Sequence, residues 1–150
     1  MSALSGNEPA VTLLTDLTIP LRLSCLNQTG WPIILSLWYE LGNDGLLYCA
    51  TQESARVVRY IRRDNRCSFE VSVEDPPYKG VRGKATAVVD KTRGAEILER
   101  LLVRYLGNKS NPLASKLLAK SETEVAIVVR PTRLFYWDYT KRMQNSLVDS

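Results

Sequence analysis

Apolar and polar positions along the chain follow two periods. Leu21, Leu23 and Cys25 alternate with Arg22, Ser24 and Leu26, and Asn27-Gln28-Thr29-Gly30 supplies a turn; the two-residue period is that of a half-buried strand. A second apolar run, Ile33 to Tyr39, ends at Gly42-Asn43-Asp44-Gly45, a hairpin signal because Asn, Asp and Gly tolerate positive φ. Leu46 to Cys49 form the returning strand. Cys67, Phe69, Val71 and Val73 alternate strictly with Ser68, Glu70, Ser72 and Glu74. Pro76-Pro77 breaks that run, and Tyr78 to Val89 reads as a long strand. Two more strands, Glu124 to Val129 and Leu134 to Asp138, are separated by Pro131. Helical period appears over Val11–Leu17, from Ser54 to about Arg63, from about Thr92 to Leu106, and after Asn111-Pro112, with Asn as N-cap and Pro at the first position. Mostly hairpin-connected strands with short helical inserts predict a mainly β, α+β domain built as an antiparallel barrel. It spans residues 1–150 as one domain, with 1–10 and 143–150 as loose ends.

The chain contains no histidine. That removes Ser-His-Asp and Cys-His nucleophilic machinery and metal or haem sites that use His ligands. Net charge is +4, from 20 Lys and Arg against 16 Asp and Glu, which favours an anionic ligand without forming a general nucleic-acid footprint. The three cysteines, Cys25, Cys49 and Cys67, show no C-x-x-C spacing, so no metal site is expected and reduced thiols in a cytoplasmic protein are. No apolar run is long enough for a membrane span.

Two segments carry candidate chemistry. In Ala50-Thr51-Gln52-Glu53-Ser54-Ala55-Arg56-Val57-Val58-Arg59 a strand gives way to a helix. The free N–H groups of the first helical turn, the Thr51 and Ser54 hydroxyls and the Arg56 guanidinium could converge on one anion; an N-capped surface helix with solvated arginines fits the same residues. In Tyr78-Lys79-Gly80-Val81-Arg82-Gly83-Lys84, alternation puts Tyr78, Gly80 and Arg82 on one face. Gly80 and Gly83 allow close approach by a flat ligand or a neighbouring strand.

Taken in order, the Gly-Asn-Asp-Gly turn, Leu-Leu-Tyr-Cys-Ala-Thr, the Ser-x-Arg helix, Arg-Arg-Asp-Asn-Arg, Tyr-Lys-Gly-Val-Arg-Gly-Lys-Ala and the closing Trp137-Asp138-Tyr139 resemble the pyridoxamine 5′-phosphate oxidase-like superfamily over roughly residues 10–142. The resemblance implies a flavin-binding split β-barrel that dimerises, with cofactor sites at the homodimer interface. It implies FMN or, in the short single-domain branch that this chain is more similar to, the deazaflavin coenzyme F-420. By position, Ile33 and its neighbours would edge the ring, and Cys49, Ala50 and Thr51 would lie beside the ribityl chain. Ser54 and Arg56 would bind the phosphate, with Arg59 one turn on as a second candidate, and Tyr78 and Lys79 would reach in from the following strand. Pro32 and Leu37 stand where pyridoxamine phosphate oxidase proper has a ring-edge arginine and lysine, and Ala55 replaces a second phosphate-binding arginine. These departures argue against pyridoxamine phosphate oxidation itself.

The expected activity is hydride transfer between bound cofactor and a small conjugated acceptor, with the protein orienting the ring and excluding water. A non-catalytic carrier or sensor of the same fold is the alternative. Neither nucleic acid nor membrane is an expected partner.

Overall fold

The computed structural model describes residues 2–148. In chain order the elements are α1 (Glu8–Asp16), β1 (Leu21–Leu26), β2 (Pro32–Leu37), β3 (Glu40–Leu41), β4 (Leu47–Gln52) and α2 (Arg56–Arg63). They continue with β5 (Arg66–Ser72), β6 (Lys79–Asp90), α3 (Gly94–Leu106), α4 (Pro112–Leu118), a short 3-10 turn, β7 (Glu124–Asp138) and α5 (Thr140–Val148). All seven strands join one antiparallel sheet in the order β2-β1-β5-β6-β7-β4-β3. The expected mainly β architecture with helical inserts is the one found.

The sheet curls. Laid flat at about 4.8 Å per strand, β1 and β4 would stand about 19 Å apart. Instead the inward residues of β1, β4, β5, β6 and β7 close on one core with Leu13 and Leu14 of α1 and Val57, Val58 and Ile61 of α2. Inward Leu23, Phe69 and Ile127 alternate with outward neighbours, so the two-residue period in the sequence is the barrel wall itself. Tyr39 is fully buried in that core, where its hydroxyl donates to the carbonyls of Leu14 (2.7 Å) and Leu17 (3.1 Å). Arg104 of α3 donates to three carbonyls at the end of α1, those of Leu14, Thr15 and Leu17, and so satisfies acceptors that a helix C-terminus leaves open.

Outside the barrel wall, α3 covers only part of the sheet. Ile97 and Leu101 pack on Tyr48, Ala126 and Val128, while Leu98 and Leu102 pack with Ala114 of α4. Gly94 begins α3 against β7 so closely that a Cβ would overlap the Glu124 carbonyl. Gly107, at φ +80, ends α3 in the left-handed conformation that suits glycine. Asn111 caps α4 by accepting from the Ala114 N–H at 2.8 Å, with Pro112 at the first position. The Gly42–Gly45 turn joins β3 to β4 with Gly45 at φ +79.

Several local expectations are corrected. The N-terminal residues are not a loose arm throughout: Leu4 and Ala10 are buried in the core, and α1 starts at Glu8 because Asn7 accepts from the Ala10 N–H and Pro9 lies in the first turn. At the other end, residues 143–148 belong to α5, and 149–150 lie outside the described residues. The two last strands are one, β7, with Pro131 tolerated at a register shift where Lys84 faces Arg133 and Ala85 faces Pro131. A bulge is one of the few places where a strand accepts proline. Among the described residues no helix is long and apolar enough to cross a membrane.

Candidate functional site

The β4–α2 junction is held from behind. Gln52 donates from Nε2 to Glu124 Oε1 (2.5 Å) and to the Lys120 carbonyl (3.0 Å), its Oε1 accepts from the Thr123 hydroxyl (2.6 Å), and the Glu53 N–H donates to the Thr123 carbonyl (2.9 Å). From this anchor the chain turns through Ser54 into α2. The N-cap is Ala55, in extended conformation and with no side-chain capping bond, so Ser54 stands one residue too early for the capping role expected of it. The first-turn N–H groups of α2 therefore lack a capping side chain.

The five arginines of Arg56–Arg66 divide by partner. Arg62 (3.8 Å) and Lys91 (2.7 Å) share the Glu53 carboxylate, and Arg66 pairs with Asp64 at 2.7 Å. Hydrogen bonds from Arg66 bring the Asp64 carboxyl down to a pKa of about 2; the Lys91 hydrogen bond lowers that of Glu53. Arg56, Arg59 and Arg63 are exposed and have no ion pair among the described residues. Thr51, Ser54, Arg56 and Arg59 thus form one local group at the end of β4.

Other expected site residues lie elsewhere. Cys49 faces the barrel core, fully buried, and burial pushes its thiol up to about 12. Ala50 faces the other way and is packed under α3 and α4. Only the backbone or the Thr51 end of this strand could meet a ligand. Ile33 turns its side chain toward the core, while its neighbour Ile34 points out at 74% exposure. Because β2 is a sheet edge, the backbone groups on its open side are available to a flat heterocycle. Lys79 starts β6, with Tyr78 just before it, and the far end of the strand leads to Lys91. That is about 40 Å along the strand at 3.3 Å per residue, so one protomer does not gather them with Ser54 and Arg56.

The glycines of β6 serve this chain's own aromatics. A Cβ at Gly80 would collide with the Trp137 indole, and one at Gly83 first with the Arg133 carbonyl and then with the Phe69 ring. The space they leave is filled from within.

A further concavity is a groove of about 750 Å³ on the outer face of β2, β1, β5, β6 and β7. Register lays its floor out in rows across five strands. One row runs Ser36, Arg22, Glu70, Arg82, Phe135; the next runs Ile34, Ser24, Ser68, Lys84, Arg133. In the first row every cation has a partner. Arg22 donates to Ser36 (2.6 Å) and pairs with Glu74 (3.4 Å). Arg82 lies 4.7 Å from the Phe135 ring centre and 5.5 Å from that of Trp137. Sequence alternation set Arg22, Ser24, Ser68 and Glu70 opposite the apolar positions of their strands and put Arg82 on one face with Tyr78 and Gly80, but nothing local said that these strands were neighbours.

No family model matches the chain, and no curated protein matches its sequence. Solved structures do match. A conserved hypothetical protein, Rv2991 from Mycobacterium tuberculosis, aligns at 22% identity over 91% of this chain and 86% of its own, with TM-score 0.70. An F420 reductase aligns at 20% identity over 81% and 93%, with TM-score 0.69. A pyridoxamine 5′-phosphate oxidase-like protein from Listeria innocua aligns at 14% identity over 86% and 95%, with TM-score 0.64. At these identities the likeness is one of fold, and the fold is the split β-barrel of the pyridoxamine 5′-phosphate oxidase type.

Proposed function

We propose that the protein binds a phosphate-bearing flavin-type cofactor, FMN or the deazaflavin coenzyme F-420, and transfers hydride between it and a small conjugated acceptor. The observation that carries this is the selective pairing at α2. Arg62 and Arg66 are engaged by carboxylates, whereas Arg56, Arg59 and Arg63 have no ion pair among the described residues, and of these Arg56 and Arg59 lie nearer the Ser54 hydroxyl and the uncapped N–H groups at the start of α2. Such a turn suits a phosphate, because Arg pairs with it in a planar fork and helix N–H groups point at it. The fold shared with an F420 reductase and a pyridoxamine 5′-phosphate oxidase-like protein supports the same reading.

In this reading Ser54, Arg56 and Arg59 hold the phosphate, Thr51 lies beside the chain leading from it, and the open edge of β2 at Ile33 meets the ring. Cys49 and Ala50 contribute backbone and packing only. Tyr78 and Lys79, at the opposite end of β6, reach the site from a second protomer of a homodimer. The cofactor when bound supplies the hydride chemistry, which suits a chain without histidine.

Absorbance of the purified protein followed by titration with FMN and with F-420 tests the assignment. Arg56→Ala weakens binding of the cofactor that binds by about 1.5 kcal/mol or more, the low end for a charge-assisted hydrogen bond. Unchanged affinity removes Arg56 from the phosphate site. Turnover with reduced cofactor and a panel of conjugated acceptors separates a reductase from a carrier.

A further inference from the structure

Two of the three cysteines stand directly opposite each other: Cys25 of β1 faces Cys67 of β5 in the last pair of that ladder. Hydrogen bonds in the flanking ladders fix which kind of pair this is. The Val73 N–H donates to the Lys79 carbonyl (3.1 Å) and the Ala87 N–H to the Asn65 carbonyl (2.9 Å), in the register in which Cys67 faces Ala85. The odd-numbered residues of β5 therefore turn their backbone groups toward β6. The Asn27 N–H donates to the Trp31 carbonyl (3.0 Å), in the register in which Cys25 faces Ile33, so the odd-numbered residues of β1 turn theirs toward β2. Cys25 and Cys67 thus form a non-hydrogen-bonded pair, the narrow kind, with Cα atoms about 4.5 Å apart and side chains on one face. That separation lies inside the roughly 4.4–6.8 Å that a disulfide spans. Both side chains point into the barrel, Cys25 buried and Cys67 half-buried, and both are free thiols. The third thiol, Cys49, lies on β4, which pairs only with β3 and β7, so no ladder sets it against either. Among the described residues no group of three or more His, Cys, Asp or Glu could hold a metal.

We infer that Cys25 and Cys67 are a reversible modification site, a thiol pair that a low-molecular-weight disulfide oxidises to a disulfide bond between β1 and β5. Cys67, the more accessible of the two, attacks first as its thiolate; the S–S bond of the small molecule breaks, a mixed disulfide forms and one small thiolate leaves. Cys25 then attacks the Cys67 sulfur, the protein disulfide forms and the second small thiolate leaves. The two cysteine protons end on the two released thiols, so the pair is oxidised by two electrons and the small disulfide is reduced. Burial pushes the Cys67 thiol up to about 12, so little of it is thiolate at neutral pH and the exchange is slow. The geometry of the pair favours the product once it forms. The bond closes the stretch between residues 25 and 67, which carries both the β2 edge at Ile33 and the Ser54–Arg59 turn. It forms whether or not a flavin-type cofactor binds there.

The folded full chain, without added cofactor, is brought to equilibrium in mixtures of reduced and oxidised glutathione, quenched with acid and alkylated in denaturant. Of the three thiols, one alkylates after oxidation and all three after dithiothreitol, and peptide mapping joins Cys25 to Cys67 within one chain. The equilibrium constant for forming that bond is larger in the folded chain than in the urea-unfolded chain by about tenfold or more, because the sheet raises the effective concentration of one thiol at the other. Cys49→Ala leaves the bond and its constant unchanged. Cys67→Ala abolishes it and puts no link between Cys25 and Cys49 in its place. Three alkylated thiols at every glutathione ratio overturn the assignment, and so does a link through Cys49 or one between two chains. A constant no larger in the folded chain than in the unfolded one overturns it as well, since the strands would then hold the two sulfurs apart.

Discussion

One strand passes through two environments. From Glu124 to Val129 every residue of β7 is buried, because the barrel core takes one face and α3 the other. Beyond Pro131 the same strand alternates between inward Leu134 and Tyr136 and outward, exposed Arg133 and Phe135. The sequence changes accordingly, from Val-Ala-Ile-Val-Val to an interleaving of Arg, aromatic and apolar residues. The covered half carries the buried packing, and the other half leaves Arg133 and Phe135 exposed. Both halves share the β6 ladder, so the difference lies in what α3 hides.

Substitutions that probe the two halves should separate them. Leu102→Ala, in the fully buried contact of α3 with α4, is expected to destabilise by about 2–5 kcal/mol in urea unfolding, the range for deleting a buried leucine side chain. Phe135→Ala, half exposed beside Arg82, is expected to lose under about 1.5 kcal/mol, the worth of its ring contacts. Comparable losses would mean that the open half is covered in solution. Gly94→Ala comes next. In a free helix the exchange would gain about 1 kcal/mol. Here the new methyl meets the Glu124 carbonyl and the Val125 N–H, backbone atoms that cannot swing aside, and overpacking of about 1–3 kcal/mol wins. A stabilised Gly94→Ala protein would show that α3 can lift from the sheet.

The same contrast explains what was legible beforehand. Strand period, the Gly42–Gly45 hairpin, the Gly107 stop and the Asn111-Pro112 start are decided by residues next to one another, and they appear where the pattern puts them. The continuity of β7 through Pro131 depends on a bulge against β6 and has no local signature. The Ser54 cap failed by one residue, since the turn from Gln52 fixes Ala55 as the last extended position. Of the expected site residues, Thr51, Ser54, Arg56 and Arg59 lie in sequence at the end of β4 and the start of α2, whereas the side chains of Cys49 and Ala50 turn into the packing on either side of β4, and Tyr78 and Lys79 lie at the opposite end of β6. The groove was out of reach for the same reason: its rows are set by the register of five strands, and only their outward direction is written in each strand alone.

The covered half also contains the only buried charged residue among those described, Glu124 at 7% exposure. Burial raises its carboxyl above the usual value, and the hydrogen bond from Gln52 opposes that shift without cancelling it. The native state therefore holds the Glu124 proton over a pH range in which the unfolded chain has already released it. Stability from this group is present below the unfolded pKa, falls as pH rises through the folded one, and stays low beyond it. Glu124→Gln keeps a neutral oxygen to accept from Gln52 and removes the titration. Carboxylates with lowered values, such as Asp64, act in the opposite direction but are common to both proteins and drop out of the difference. The variant should gain stability relative to the wild type between pH 4 and pH 7, measured by urea unfolding at each pH. A difference that shrinks or reverses as pH rises would mean that Glu124 is charged at little cost, and that the end of β4 is more open to water than its packing against α3 and the 3-10 turn implies.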